Sequence, residues 1–166
     1  MVNKGTLVVA NETGSATGAG PVTVNAGTLG GSGSVAGAVT VNTGAILAPA
    51  SGSKIQATLT IDNALTFNSG ANYTYTFKAK AQRATTDKVI ARGVRIAGGA
   101  TIMISGTAQG ALPQGTILTV ISNTSASAIS GTFSNLPDGA ILTVNRNNFQ
   151  ASYEGGDGND LTLTVQ

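Results

Sequence analysis

Val22-Thr-Val-Asn-Ala-Gly-Thr-Leu29 and Val39-Thr-Val-Asn-Thr-Gly-Ala-Ile46 are nearly the same phrase, 17 residues apart (39 − 22), with Gly30-Gly-Ser-Gly33 between them. A unit that short has too little apolar surface to build a core alone, so it is stable only when stacked on its neighbours. Val-x-Val alternates as a strand does. The Asn, small residue and Gly that follow supply a turn. The reading is one turn of a β-solenoid, with its strands stacked about 4.8 Å apart.

The same register extends both ways. Leu7-Val-Val9 precedes Val22 by 15 residues (22 − 7), and Leu59-Thr-Ile61 follows Val39 by 20 (59 − 39). A constant strand with a return of variable length suits a stack, because insertions go into surface turns. The position after the strand is Asn25, Asn42 and then Asp62. Side-chain amides there can bond to their copies above and below, which predicts a structural ladder of Asn25 and Asn42 ended by Asp62. Thr23, Thr40 and Thr60 are expected in an outward column, a preference any strand has.

Composition narrows the core. Hydrophobic residues make up 41% of the chain, aromatic ones 4% and charged ones 10%, with 23 Gly. Apolar content that high argues against disorder. The near absence of aromatics predicts a thin interior filled by Val, Ile, Leu and Ala. The chain has no Cys and no His, which excludes disulfides, thiol catalysis, imidazole bases and the usual zinc sites. A net charge of +2 is too small to identify a polyanion binder by itself. No signal peptide or membrane-inserting segment is visible, and Met1-Val-Asn-Lys4 leads straight into the first strand. That reads as a piece of a longer chain.

Residues 1–68 read as regular repeats and residues 69–166 as their continuation and a C-terminal β cap, together one continuous domain. Ala48-Pro-Ala-Ser-Gly-Ser53 is a corner, since Pro and Gly cannot continue a central strand. Phe67, Tyr73, Tyr75 and Phe77 mark a widening layer. Further strands are expected at Lys88–Ala91, Val94–Ile96, Thr101–Ser105, Ala140–Val144, Phe149–Tyr153 and Leu161–Val165. Thr116–Ile121 should be buried on both faces, and Leu136–Gly139 should be a turn. Ala79–Ala84 is the best helical segment and is too short to stand alone.

Gly5–Ala50 resembles the autotransporter-associated β-strand repeat of large bacterial surface proteins. The segments TDKVIARGVRIAGGATIMI (Thr85 to Ile104), SGTFSNLPDG (Ser130 to Gly139) and YEGGDGNDLTLT (Tyr153 to Thr164) resemble the terminal module that follows such repeats. The resemblance implies a right-handed parallel β-helix, secreted and displayed at the surface of a Gram-negative-type bacterium, with neighbouring repeats of the parent chain as its partners. It brings no catalytic residues.

Four candidate sites compete with plainer explanations. Gly155-Gly-Asp-Gly-Asn-Asp160 fits the opening of a calcium-binding β-roll, with Asp157 and Asp160 as ligands. The roll needs tandem copies and an apolar residue where Thr162 stands, so a Gly-rich turn is the simpler reading and no metal or other cofactor is assigned. Lys78, Lys80, Arg83, Lys88, Arg92 and Arg95 are a candidate patch for anionic glycans or other polyanions. The competing reading is protection of exposed strand edges. Catalysis would need clustered carboxylates, but Glu12, Asp62, Asp87, Asp138, Glu154, Asp157 and Asp160 are mostly scattered between turns, so no enzyme is expected. Flat Thr columns could order water, but three rows make a short array. The expected role is therefore structural: a stalk, spacer or adhesive surface. Weak self-association through an uncapped first coil (Gly5–Val9) is also expected.

Overall fold

The computed structural model describes residues 1–52, 55–80 and 83–166, and these form seventeen β-strands and no helix. The first fourteen are β1 (Thr6–Val9), β2 (Val22–Val24), β3 (Thr28–Gly31), β4 (Ser34–Val35), β5 (Val39–Val41), β6 (Ile46–Leu47), β7 (Thr58–Ile61), β8 (Leu65–Phe67), β9 (Asn72–Lys80), β10 (Arg83–Thr86), β11 (Lys88–Ala91), β12 (Val94–Ile96), β13 (Thr101–Gln109) and β14 (Ile117–Asn123). The last three are β15 (Ile141–Val144), β16 (Asn147–Gly155) and β17 (Asp160–Val165). Parts of the expected 48–53 corner and of the 79–84 segment fall at Ser53, Ala81 and Gln82, which lie outside the described residues. Lys80 and Arg83, on either side of the latter pair, are strand.

Three sheets share the strands. Sheet A is β2-β5-β8-β12, parallel throughout. Sheet B runs β1-β3-β6-β9-β13 in parallel, with β10 folded back antiparallel on β9. Sheet C runs β4-β7-β11-β14 in parallel and then continues antiparallel through β17, β16 and β15. From β2 to β14 the chain visits A, B and C in rotation, apart from the β10 fold-back. The expectation is a parallel β-helix widening into a β cap; sheet A is parallel throughout, whereas sheets B and C are mixed. Hairpins can add to an edge at once, whereas another parallel strand needs a crossover.

The recurring strand belongs to sheet A, and its true successors differ from the sequence reading. Val22 pairs with Val39, Val39 with Leu65 and Leu65 with Val94, so the intervals are 17, 26 (65 − 39) and 29 (94 − 65). Leu7 lies in sheet B opposite Leu29, and Leu59 lies in sheet C opposite Val89. Alternation of apolar and polar residues reports that one face is buried. It does not say which sheet the face belongs to.

The ladder shifts with the register. Asn25 donates from Nδ2 to Asn3 Oδ1 at 2.8 Å, Asn42 to Asn25 at 2.7 Å and Asn68 to Asn42 at 2.7 Å. Asn68 takes the place expected of Asp62, which is exposed at the end of β7. An amide both donates and accepts, so it can pass the bond along; a carboxylate can only accept. The Thr column is corrected likewise to Thr23, Thr40 and Thr66, then Arg95. Thr60 stands in sheet C, between Ser34 and Ile90.

As the repeats lengthen, the interior has more room to fill. Before Phe67 it holds only aliphatic side chains, and all seven aromatics, from Phe67 onward, are buried. Phe67, Tyr73 and Phe133 form one cluster, with ring centroids 5.2–6.1 Å apart. Phe77 meets Phe149 edge-on at 5.5 Å. Such contacts add about 0.5–1.5 kcal/mol beyond area burial. In β3 one residue is limited by the backbone of its neighbouring strand, β1. Gly31 has φ +114°, and a Cβ there would lie 1.9 Å from the Val9 carbonyl oxygen.

Burial of Thr116–Ile121 on both faces does not hold: Ile117 is 62% exposed. The apolar run has another cause. The pairing with β17 slips between Thr119 and Ile121, so Val120 and Ile121 both turn inward. The slip breaks the regular pairing at Val120, whose carbonyl accepts the Tyr73 hydroxyl across the core at 3.0 Å.

Asn42→Ala should lower stability by about 1–2 kcal/mol, because it removes two partly exposed hydrogen bonds. Asn3→Ala removes one and should cost less, and Asp62→Ala should stay within about 0.5 kcal/mol. Urea unfolding monitored by tyrosine fluorescence ranks the three. An Asp62 effect equal to that of Asn42 would refute the assignment.

Candidate functional site

The six basic residues do not form one patch. Lys78 and Lys80 are on β9, and Arg83 on β10 stands directly opposite Lys80. Lys88 is on β11 in sheet C, Arg92 lies in the connection from β11 to β12, and Arg95 is on β12 in sheet A. Only Lys78, Lys80 and Arg83 share a surface, the outer end of the β9–β10 hairpin, where all three are exposed. Arg146, which the sequence reading left out, lies in the two-residue turn between β15 and β16. There it and Asn145 have φ of +67° and +46°, the pairing that a tight type I′ hairpin demands.

The carboxylates are also dispersed, and three of them are structural; the exposed Asp138 accepts from the Tyr153 N–H at 2.9 Å. Asp87 is fully buried. Its Oδ1 accepts from the Ala57 N–H at 2.9 Å, and its Oδ2 accepts from the Thr76 N–H at 2.9 Å and the Thr76 hydroxyl at 2.8 Å. One side chain thus ties the approach to β7, the middle of β9 and the start of β11.

Asp160 does similar work in the glycine-rich turn. The turn joins β16 to β17, with Gly155 opposite Asp160. Asp160 is buried, and its Oδ1 accepts from the Asn123 N–H at 2.8 Å. Asn159 donates to the Ser125 carbonyl at 2.6 Å, and Asn123 donates to Ser127 and accepts from Gly93. The turn is therefore sewn to the 123–127 loop. Gly156, at φ +62°, would place a Cβ 2.3 Å from Asp160 Oδ2. Asp157 points to solvent. Among the described residues no group of three or more Asp or Glu is placed to hold a metal ion.

Three buried tyrosines titrate abnormally. Burial pushes the Tyr73 phenol well above its ordinary value, and the neighbouring Tyr75 and Asp87 add to the effect. Burial also raises Tyr75. Its hydroxyl finds no well-aligned partner, although the nearby Thr86 hydroxyl opposes the rise and Asp87 adds to it. Tyr153 is pushed up to about 12, chiefly by burial; the Phe133 N–H it accepts opposes the shift and Asp138 adds to it. Its own hydroxyl donates to the Leu136 carbonyl at 2.8 Å, locking the 133–136 turn over the core.

The roles of Asp87 and Asp160 as buried acceptors carry no signal in the sequence, and neither does that of Asn135, whose side-chain oxygen accepts from the Ile102 N–H at 2.9 Å. A lone acid in a Thr-rich segment looks the same whether it faces solvent or backbone N–H groups. No protein-family model matches the chain, and a search of curated proteins finds no significant match.

Asp87→Ala should cost on the order of 2–5 kcal/mol, since one buried and one part-buried N–H donor lose their acceptor at about 1–3 kcal/mol each; thermal unfolding measures it. Stability should also fall above pH 10. A phenol raised in the folded state contributes in full below its unfolded value of about 10, and that contribution fades as pH rises through about 12. Melting temperatures from pH 9 to 12 should decline, and less steeply in Tyr153→Phe. A flat profile would contradict the linkage.

Proposed function

We propose that this chain is a non-catalytic structural module, a stalk, spacer or adhesive surface of a bacterial surface protein. In this reading its parallel strands wind as a right-handed β-solenoid closed by an antiparallel cap. The observation that carries it is the stacked register, with one aliphatic-to-aromatic core running through three sheets and an asparagine ladder outside. Such a body gains stability with every neighbour it stacks on, as a load-bearing rod or spacer needs. The resemblance of Gly5–Ala50 to the autotransporter-associated repeat is the ground for placing it at a cell surface. Three of its seven acids, Asp87, Asp138 and Asp160, are already engaged by backbone N–H groups, which leaves little for acid–base work.

A second reading has one specific observation behind it. Lys78, Lys80 and Arg83 share the exposed end of one hairpin, enough for weak attachment to a polyanion. Exposed charges of that kind are screened within about 8 Å at physiological salt.

A broad polysaccharide-hydrolase and lyase screen should therefore show no turnover, and a heparin column should release the protein below about 0.5 M salt. Turnover abolished by Asp62→Asn would overturn the structural reading. Retention beyond that salt, lost when Lys78, Lys80 and Arg83 become Ala, would replace it with the polyanion-binding one.

A further inference from the structure

We propose that β13 is an acceptor edge for one added β-strand, supplied by an acidic, extended peptide segment of a partner. The proposal stands apart from the structural role above and rests on different observations. In a parallel ladder, alternate residues turn both N–H and C=O toward the same neighbour. Thr101 donates to the Ala71 carbonyl at 2.9 Å, so Met103, Ser105 and Thr107 also face β9. Ile102, Ile104, Gly106 and Ala108 then face away from the sheet.

Among the described residues that outward edge is met at two points by side-chain amides. Asn135 accepts from the Ile102 N–H at 2.9 Å and donates to the Ile102 carbonyl at 2.7 Å, as a neighbouring strand would. Further along, Asn145 donates to the Gly106 carbonyl. Among the described residues β13 is paired with β9 alone, so the outward peptide groups of Ile104, Gly106 and Ala108 have no neighbouring strand. Unpaired groups in that alternation are a template for another strand.

The surroundings have room and a chemical preference. Between β13 and β15 lies a cleft of about 220 Å³, lined by Ile104, Leu142 and Val144 among others. Half-buried apolar groups there suit the alternate side chains of an incoming strand. Beyond Gly106 a second cleft, of about 280 Å³, is lined by Lys78, Lys80 and Ala108 among others. Lys78 and Lys80 stand in register with Thr107 and Gln109, and Arg146 adjoins Asn145. β9, β10, β13 and β15 contain no acid, and Asp87, after β10, is buried and bonded to backbone. Carboxylates on the guest therefore meet a field of one sign. A polysaccharide could use the cations but could not match N–H and C=O groups in strand alternation, so the geometry favours a peptide.

The test is titration with the capped peptide Glu-Val-Thr-Val-Thr-Val-Glu, read by amide hydrogen exchange in the full chain. Exchange at Ile104, Gly106 and Ala108 should slow at least about tenfold at saturation, while the Lys-ended counterpart should bind about tenfold more weakly. Ile104→Pro removes one donor on the side away from β9, where an edge strand tolerates proline, and should abolish binding. Asn145→Ala removes the competing plug and should strengthen binding a few-fold. Should Ile104→Pro fail to fold, the surface variant Lys80→Glu/Arg146→Glu, which spares the backbone, should reverse the preference between the two peptides. Unchanged exchange at the three amides would overturn the proposal. So would equal binding of the acidic peptide to Ile104→Pro, or a heparin fragment that displaces the peptide and binds that variant as well as the parent. An edge occupied by a second copy of the chain, seen as a dimer that Ile104→Pro dissolves, would overturn it too.

Discussion

Strand-on-strand register in three sheets is the constraint on which everything else in this molecule depends. A two- or three-residue strand such as β4, β6 or β12 has no independent stability. β6 persists because it is paired with β3 and β9, and the edge strands β4 and β12 because β7 and β8 hold them on one side, while the inward side chains of all three join the common core. The asparagine ladder is a by-product of the same register. Once Val24, Val41 and Phe67 align, the residue after each is brought within hydrogen-bond reach of its copies.

Register also dictates what the core must contain. Short repeats leave an interior that Val and Leu fill. Longer repeats enclose more space, and close packing requires that space to be filled. Aromatics enter where the interval grows to 26 residues and more. The slip in β14 belongs to the same adjustment, since it turns Val120 and Ile121 inward together and leaves a carbonyl for Tyr73 to satisfy. A buried phenol without such an acceptor would cost free energy.

Where stacking stops, individual polar side chains take over from strands. Asp87, Asp160 and Asn135 each accept from backbone N–H groups that no neighbouring strand reaches. Asn11 does so at the narrow end, accepting from the Ser34 N–H at 2.9 Å. Sheet C is closed by β15–β17. Sheet B is not closed in that way at β13, and two asparagines stand in for the missing strand. Three of the carboxylates and several of the amides are thus architectural, which is why their pattern along the chain looks featureless.

The sequence by itself determined the class of structure. Val22–Leu29 and Val39–Ile46 force stacking because neither can bury its apolar side alone, and alternation with abundant Gly rules strands in and helices out. The bond between Asn25 and Asn42 was legible for the same reason: the two copies are nearly identical, so their equivalence needs no structure. Only the tertiary structure decided which later strands join which sheet. Leu59 and Leu65 both begin alternating triplets, and choosing between them depends on the length of the intervening turn and on core volume, neither of which is encoded locally. Asn68 rather than Asp62 in the ladder follows from that choice. So do the antiparallel closure, the separation of the basic residues onto different faces, and the burial of Asp87. Each depends on contacts between residues far apart in the chain, where alternation and turn propensity carry no information.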